Sequence, residues 1–184
     1  VSFGATANGI VLNSTRIVYP AEAKQITVPV RNTSDTNTFL VQSWVEDEQG
    51  QKTSDFIVTP PLFSSAPGNE NTLRLMYAGK NVLPNDRESL YYFSIKGIPS
   101  VSKEVIEGQN ALILATVTRI KLFVRPAGLT TSPADAPNHL KFKRNGNRVE
   151  VSNGSPYYVT LTSITFGGKP LNGVMVSPLS TTTI

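Results

Sequence analysis

Two cations stand where a β-strand gives them little to do. Arg16, in "TRIVYP", and Lys121, in "RIKLFVRP", each lie inside an apolar, β-branched run rather than in a polar loop. Burying a bare cation is expensive, so such a side chain either reaches water along its aliphatic stem or meets an anion. If the two converge on one cleft, they form a two-pronged anchor suited to a terminal carboxylate, held by charge-assisted hydrogen bonds. Sequence spacing alone does not separate that reading from two side chains that snorkel independently. Arg119 places a third cation in the same run as Lys121.

Other reactive groupings are scarce. The chain has no cysteine, which removes disulfides, thiolate chemistry and cysteine-rich zinc sites. His139 is the only histidine, so a histidine metal cluster is excluded, and a serine-histidine-acid triad would rest on one residue beside a proline-rich stretch. It reads as an exposed histidine in a turn. No phosphate-cradling glycine loop and no dinucleotide fingerprint follows a strand. Glu46-Asp47-Glu48 reads as a solvated loop, and Asp86-Arg87-Glu88 as a turn with an ion pair; neither has the partners of a glycosidase or metal site. The residues point away from an enzyme, and no cofactor or metal is expected.

Lys141, Lys143, Arg144 and Arg148 could touch phosphate but read as the polar face of a hairpin. The formal charge of +4, from 17 basic and 13 acidic residues, is spread along the chain instead of gathered into a tail. Nucleic acid is therefore not an expected partner.

The elements that must carry these residues are strands. Apolar positions recur at a period near two, with β-branched and aromatic residues in runs parted by Gly, Pro and Asn. The pattern predicts strands at Gly9 to Leu12, Arg16 to Tyr19, Gln25 to Asn32, Thr38 to Glu46, Phe56 to Thr59, Asn71 to Tyr77, Ser89 to Lys96 and Ala111 to Val124. "DEQGQK" and "SSAPGNE" are reversals, because glycine accepts positive φ and proline presets a turn dihedral. No stretch combines helical apolar spacing with adequate length and caps. Two packed antiparallel sheets follow, with Trp44 expected as a buried anchor on a central strand. "NALILATVTRIKLFVRP" stands apart, apolar on both faces at first and cationic later, and reads as an edge to be completed by something else.

After Pro126 the texture changes. "AGLTTSPADAPNH" reads as a linker into a second unit, with a hairpin about Asn145-Gly146-Asn147 and further strands in "YYVTLTSITFGGKPL" and at Val174 to Val176. The expected division is residues 1–125 and 126–184, the second thin for a complete sandwich and so expected to be incomplete. No apolar run approaches the ~18 to 20 residues needed to cross a bilayer. Ala5-Thr6-Ala7 has the small-x-small form of an export cleavage site, with no basic region or apolar core before it.

Seven blocks, "TRIVYP", "FLVQSWVEDEQG", "FIVTPPLF", "NTLRLMYAG", "LPNDRESLYYFSIKGIPS", "RIKLFVRPAGL" and "SPYYVTLTSITFGGKPL", occur in an order that closely resembles the periplasmic chaperones of the chaperone–usher pathway, which assemble bacterial pili and fimbriae. The resemblance implies an all-β protein of two immunoglobulin-like β-sandwich domains in an L-shaped arrangement. It also implies a periplasmic location, no catalysis, no cofactor, and two kinds of partner: pilus subunits and an outer-membrane usher. By resemblance, Arg16 and Lys121 match the basic pair that grips a subunit's carboxy-terminal carboxylate. Leu112, Leu114, Thr116 and Thr118, with Ile120 continuing the alternation, match the strand donated to the subunit. Thr116 stands where a bulkier apolar residue is common, so one subunit pocket would be filled less well. The modest "KGIPSVSKEVIEGQ" connection and the lack of cysteine match the short-loop group. An unoccupied donor strand would also be open to self-association. The alternative is a pilus subunit, which would ordinarily carry its donor segment at the amino terminus instead of in mid-chain.

Overall fold

Strict alternation along a strand sends successive side chains to opposite faces, so two sheets can bury one face each. The computed structural model, which describes residues 9–100 and 114–184, realises this in the first unit with nine strands. They are β1 (Ile10–Leu12), β2 (Arg16–Pro20), β3 (Ile26–Asn32), β4 (Phe39–Glu46), β5 (Phe56–Thr59), β6 (Leu62–Ser65), β7 (Glu70–Tyr77), β8 (Ser89–Pro99) and β9 (Thr116–Arg125). One sheet runs β1-β3-β7-β5 and the other β2-β9-β8-β4-β6.

The inner faces supply the core. Val28, Val30, Leu73 and Leu75 come from the first sheet, and Val41, Val45, Phe93 and Ile95 from the second, all buried. Phe56 meets Tyr19, Tyr77 and Tyr91 edge-on, with ring centroids 5.0 to 5.3 Å apart. That geometry sets positive ring edges against negative faces. Two tyrosine hydroxyls of this cluster are satisfied: Tyr19 donates to the Ala23 carbonyl at 2.7 Å and accepts the Tyr77 N–H at 3.1 Å, and Tyr91 donates to Asp55 at 2.8 Å. Burial, together with the Asp55 carboxylate, holds the Tyr91 phenol protonated far above its ordinary range.

The second unit repeats the sandwich logic on a smaller scale. Contacts group Pro20–Glu22, Leu83–Ser89 and Val124–Ile184 together, apart from Ala23–Val82 and the body of β8 and β9. Its strands are β10 (Leu140–Asn145), β11 (Arg148–Asn153), β12 (Val159–Leu161), β13 (Ile164–Phe166), β14 (Lys169–Leu171), β15 (Val174–Val176) and β16 (Ser180–Thr183). They pair as β10-β11-β16, β12-β15 and β13-β14. The expected hairpin closes at Asn145 opposite Arg148, with Gly146 at φ +63°, a conformation glycine accepts without strain.

One side-chain device occurs in both units. Asn32, at the end of β3, is fully buried, and its amide nitrogen donates to the carbonyls of Asn37, Ser65 and Ala66 at 2.9 to 3.1 Å. Its oxygen accepts the Ser34 N–H at 3.0 Å. Asn153, at the end of β11, does the same with the carbonyls of Tyr157, Val176 and Ser177 and with the Ser155 N–H. Each asparagine thus satisfies chain ends that leave a sheet inside the protein, where an unpaired carbonyl is costly.

Several expectations are corrected. β6 was not expected, because two prolines precede it and only four residues carry its pattern; it pairs with β4 as an edge strand. The stretch after Pro126, read as a linker plus the entry to a second unit, packs into that unit. It contains a 3-10 turn, Pro133–His139, and Leu129 and Ala136 pack with Leu140, Tyr157 and Val159. Trp44 lies on β4 but on the face away from the core, half-buried, with its indole N–H donated to Glu46 at 3.1 Å. Glu46 closes β4, where the expected strand also ends, so only Asp47 and Glu48 of the acidic cluster lie in the reversal.

Candidate functional site

β9 is divided along its length. Thr116, Val117, Thr118 and Arg119 are exposed, Ile120 and Lys121 are intermediate, and Leu122, Phe123 and Val124 are buried. The even-numbered face therefore closes the protein's own core through Leu122 and Val124, and only farther back presents Ile120, Thr118 and Thr116 outward. Burial and exposure are thus separated by position along the strand, not by face.

The neighbouring strands explain the division. β9 has ten residues and lies between β8 and β2, but β2 has only five. The Ala21 N–H donates to the Arg125 carbonyl at 2.9 Å, and the Arg16 guanidinium lies 5.9 Å from the centre of the Phe123 ring. β2 therefore flanks the second half of β9. Among the described residues, no strand flanks the first half on that side. Leu114 and Val117 stand 65% and 56% exposed at that end. An apolar strand end with an open edge is a template for another strand. Leu112, also expected on the donor face, lies outside the described residues.

Arg16 opens β2 and is exposed, while Lys121 is half-buried in β9. Burial, and then the positive charge of Arg16, push the Lys121 ammonium below its ordinary value. The two cations, 105 positions apart in sequence by their numbers, are thus within electrostatic reach of each other. Like charges in partial burial disfavour one another, and an anion between them relieves both.

Sequence reasoning missed Glu88 and Arg125 as a pair. Glu88 is 3% exposed; one carboxylate oxygen accepts the Arg125 Nε–H at 3.1 Å and the other the Tyr158 N–H at 2.8 Å. Arg125 also lies 5.1 Å from the Tyr157 ring centre. The turn before β8 is thereby tied into the second unit, with its own N–H given to the Pro156 carbonyl at 2.9 Å. The only hint in sequence was an acid beside a strongly apolar strand. Glu88→Ala strands a partly buried guanidinium and a backbone N–H, so the second unit should lose about 2 to 3 kcal/mol in urea unfolding.

The remaining sequence candidates stay apart. His139 ends the 3-10 turn and meets Asp135 at 3.2 Å; the hydrogen bond from Asn138, and then that from His139, hold the Asp135 carboxyl below its usual range. Asp86 pairs with its neighbour Arg87 at 3.0 Å in solvent. No group of three or more metal-ligating side chains occurs among the described residues. No helix among them is long and apolar enough to cross a membrane.

Comparison with known proteins agrees over both units. Residues 9–130 match the family described as "Pili and flagellar-assembly chaperone, PapD N-terminal domain", and residues 135–184 match "Pili assembly chaperone PapD, C-terminal domain". The chain is 50% identical to the probable fimbrial chaperone SfmC of Escherichia coli K12, over 94% of this chain and 74% of that protein. It is 42% identical to the chaperone protein FimC of the same strain, over 98% and 75% of the two chains. Among solved structures, the periplasmic chaperone SfaE superposes with a TM-score of 0.81 at 40% identity, covering 95% of this chain and 86% of that one. The complex of the SafB chaperone with the Salmonella enterica SafA pilin gives 0.82 at 32% identity, covering 95% and 82%. With residues 9–130 and 135–184 matched to the two domains, the chain belongs to the PapD family of periplasmic pilus-assembly chaperones.

Proposed function

We propose that this periplasmic chaperone, which performs no catalysis, caps a fimbrial subunit with the first half of β9 and anchors the subunit's terminal carboxylate between Arg16 and Lys121. The observation that carries the reading is the divided strand: buried and flanked by β2 in its second half, exposed in its first, where no strand among the described residues flanks it on that side. A subunit lacking one strand of its own sandwich exposes a groove and unpaired backbone groups. β9 supplies both needs, with main-chain bonds along the open edge and alternate side chains in the groove.

Leu112, Leu114, Thr116, Thr118 and Ile120 fill that groove, and the two cations fix its register by holding the carboxylate at one end. A buried Leu or Ile side chain contributes about 1.5 to 3 kcal/mol gross, before ordering costs, and threonine less. Two threonines in the donor series make a looser fit, which suits a hand-over of the subunit to an outer-membrane usher. The donor unit is residues 1–125, followed by a second immunoglobulin-like unit at 126–184. The same open edge is where two free chains would pair, in competition with a subunit.

Thr118→Asp tests the reading. Thr118 is exposed in the free chain, so the variant should fold with a stability change within about 0.5 kcal/mol. In a complex it would bury a carboxylate in an apolar groove, and capture of a denatured fimbrial subunit should fall at least ~100-fold. Undiminished capture would contradict the donor assignment.

A further inference from the structure

Arg119 belongs to the same basic run as Lys121 and is given no role by carboxylate anchoring. Its surroundings form a built socket. The guanidinium carbon lies 3.7 Å from the centre of the Tyr92 ring on β8, and its Nε–H donates to Glu46 Oε2 on β4 at 2.9 Å. Tyr92 and Glu46 are directly opposed in the β4–β8 ladder, so a single side chain from β9 grips two neighbouring strands.

The socket is itself braced. Glu46 Oε1 accepts the Trp44 indole N–H at 3.1 Å, and the Lys52 ammonium lies 4.8 Å from the Trp44 ring centre. The reversal after β4 closes over the arginine. Gly50, at φ +82°, stands so near that an added methyl would come within 3.3 Å of Arg119 Nη2. Asp47 pins that reversal by accepting the N–H groups of Gln49 and Gln51 at 3.0 and 2.9 Å.

An exposed ion pair and an exposed cation–π contact each stabilise only weakly. Arg119 is 45% exposed, so global stability is a poor account of so many fixed partners. Its place in the strand offers a better one. Arg119 is the last fully exposed residue before β9 sinks into the core, and its side chain leaves the strand on the face opposite Thr116, Thr118 and Ile120.

We propose that Arg119 is a positioning residue: its clamp on Tyr92 and Glu46 holds the exposed half of β9 in register on β8, so that the donor face is already an extended strand when a subunit arrives. Preorganisation lowers the ordering cost of binding and acts through the speed and strength of capture. The inference rests on the donor-strand reading, but its first consequence is visible in the free chain.

The test is hydrogen exchange on the free chain, followed by capture of a denatured fimbrial subunit lacking its N-terminal extension. Arg119→Ala should speed exchange at the protected amides of residues 116–120 about tenfold, leave β4 and the rest of β8 unchanged, and slow capture by a similar factor. Glu46→Gln should give about threefold, and Arg119→Lys, which keeps a cation over Tyr92, should fall between wild type and Arg119→Ala. Unchanged exchange at 116–120 overturns the proposal. So does faster exchange spread across β4 and β8 with a matching fall in Tm, which would make Arg119 an ordinary stabilising residue. Faster local exchange with unaltered capture overturns its role in donation. Failure of the donor reading itself would show separately, as capture insensitive to Thr118→Asp.

Discussion

Lys121→Ala and Arg16→Ala are each expected to abolish capture of a fimbrial subunit, by at least ~100-fold, while the free chain melts within about 2 °C of the wild type. The asymmetry follows from where the charges stand. A carboxylate bridged by two cations loses a charge-assisted bond with either one, and the remaining cation keeps its desolvation cost without full return. In the free chain the Arg16 charge adds to the burial that disfavours the Lys121 ammonium, so removing Arg16 relieves Lys121 in part. The pH dependence has a definite sign. Burial and the Arg16 charge hold Lys121 below its ordinary 10.5 in the fold. Between the lowered value and 10.5, the unfolded chain binds more protons, so stability rises with pH in that window, and Lys121→Met should lack this rise. A bound carboxylate favours the ammonium, so capture should weaken as pH climbs through the lowered value. A variant of either cation that captures as well as the wild type would remove the anchor from the account.

Asn32→Ala and Asn153→Ala are expected to be the most damaging substitutions to folding, at about 4 kcal/mol each. Each amide serves three backbone carbonyls and one backbone N–H in a site that is at most 2% exposed. Water cannot replace those bonds without opening the fold, and each buried group left unpaired costs about 1 to 3 kcal/mol. Aspartate should be no remedy, since its carboxylate would face the same carbonyl oxygens. Native stability is commonly 5 to about 15 kcal/mol, so such a loss is a large share of it. Urea unfolding followed at Trp44 for the first unit and at Tyr157 for the second should place each loss in its own unit. A loss below about 1 kcal/mol for either would mean that the carbonyls find other donors.

The chain shows which of these features a sequence can carry. Period-two patterning located most strands because burial on one face is a local signal; β6 escaped because its four residues are an edge with little to bury. Trp44 was placed in the core from its size, but its indole N–H is satisfied by Glu46 on the outer face, and two residues farther along the same strand is a relation that apolar counting ignores. The exposed first half of β9, which no strand among the described residues flanks on the β2 side, was legible as an apolar run with cations. Its cause was not, because it depends on β2 being half as long and lying beside the far end. The reach between Arg16 and Lys121 is likewise tertiary. The asparagine device did leave a mark: V-x-V-x-N-x-S occurs at Val28 to Ser34 and again at Val149 to Ser155. That repeat marks the same strand end in each sandwich and was the one sequence signal that could have found it.

The most direct measurement compares one subunit prepared with its free terminal carboxylate and with that carboxylate replaced by a primary amide. Both present the same groove to β9, and only the first offers an anion to Arg16 and Lys121. The account predicts that the wild-type chain binds the amide form at least ~100-fold more weakly, and that Lys121→Ala binds both forms equally weakly. Equal affinity of the wild type for the two forms would contradict it.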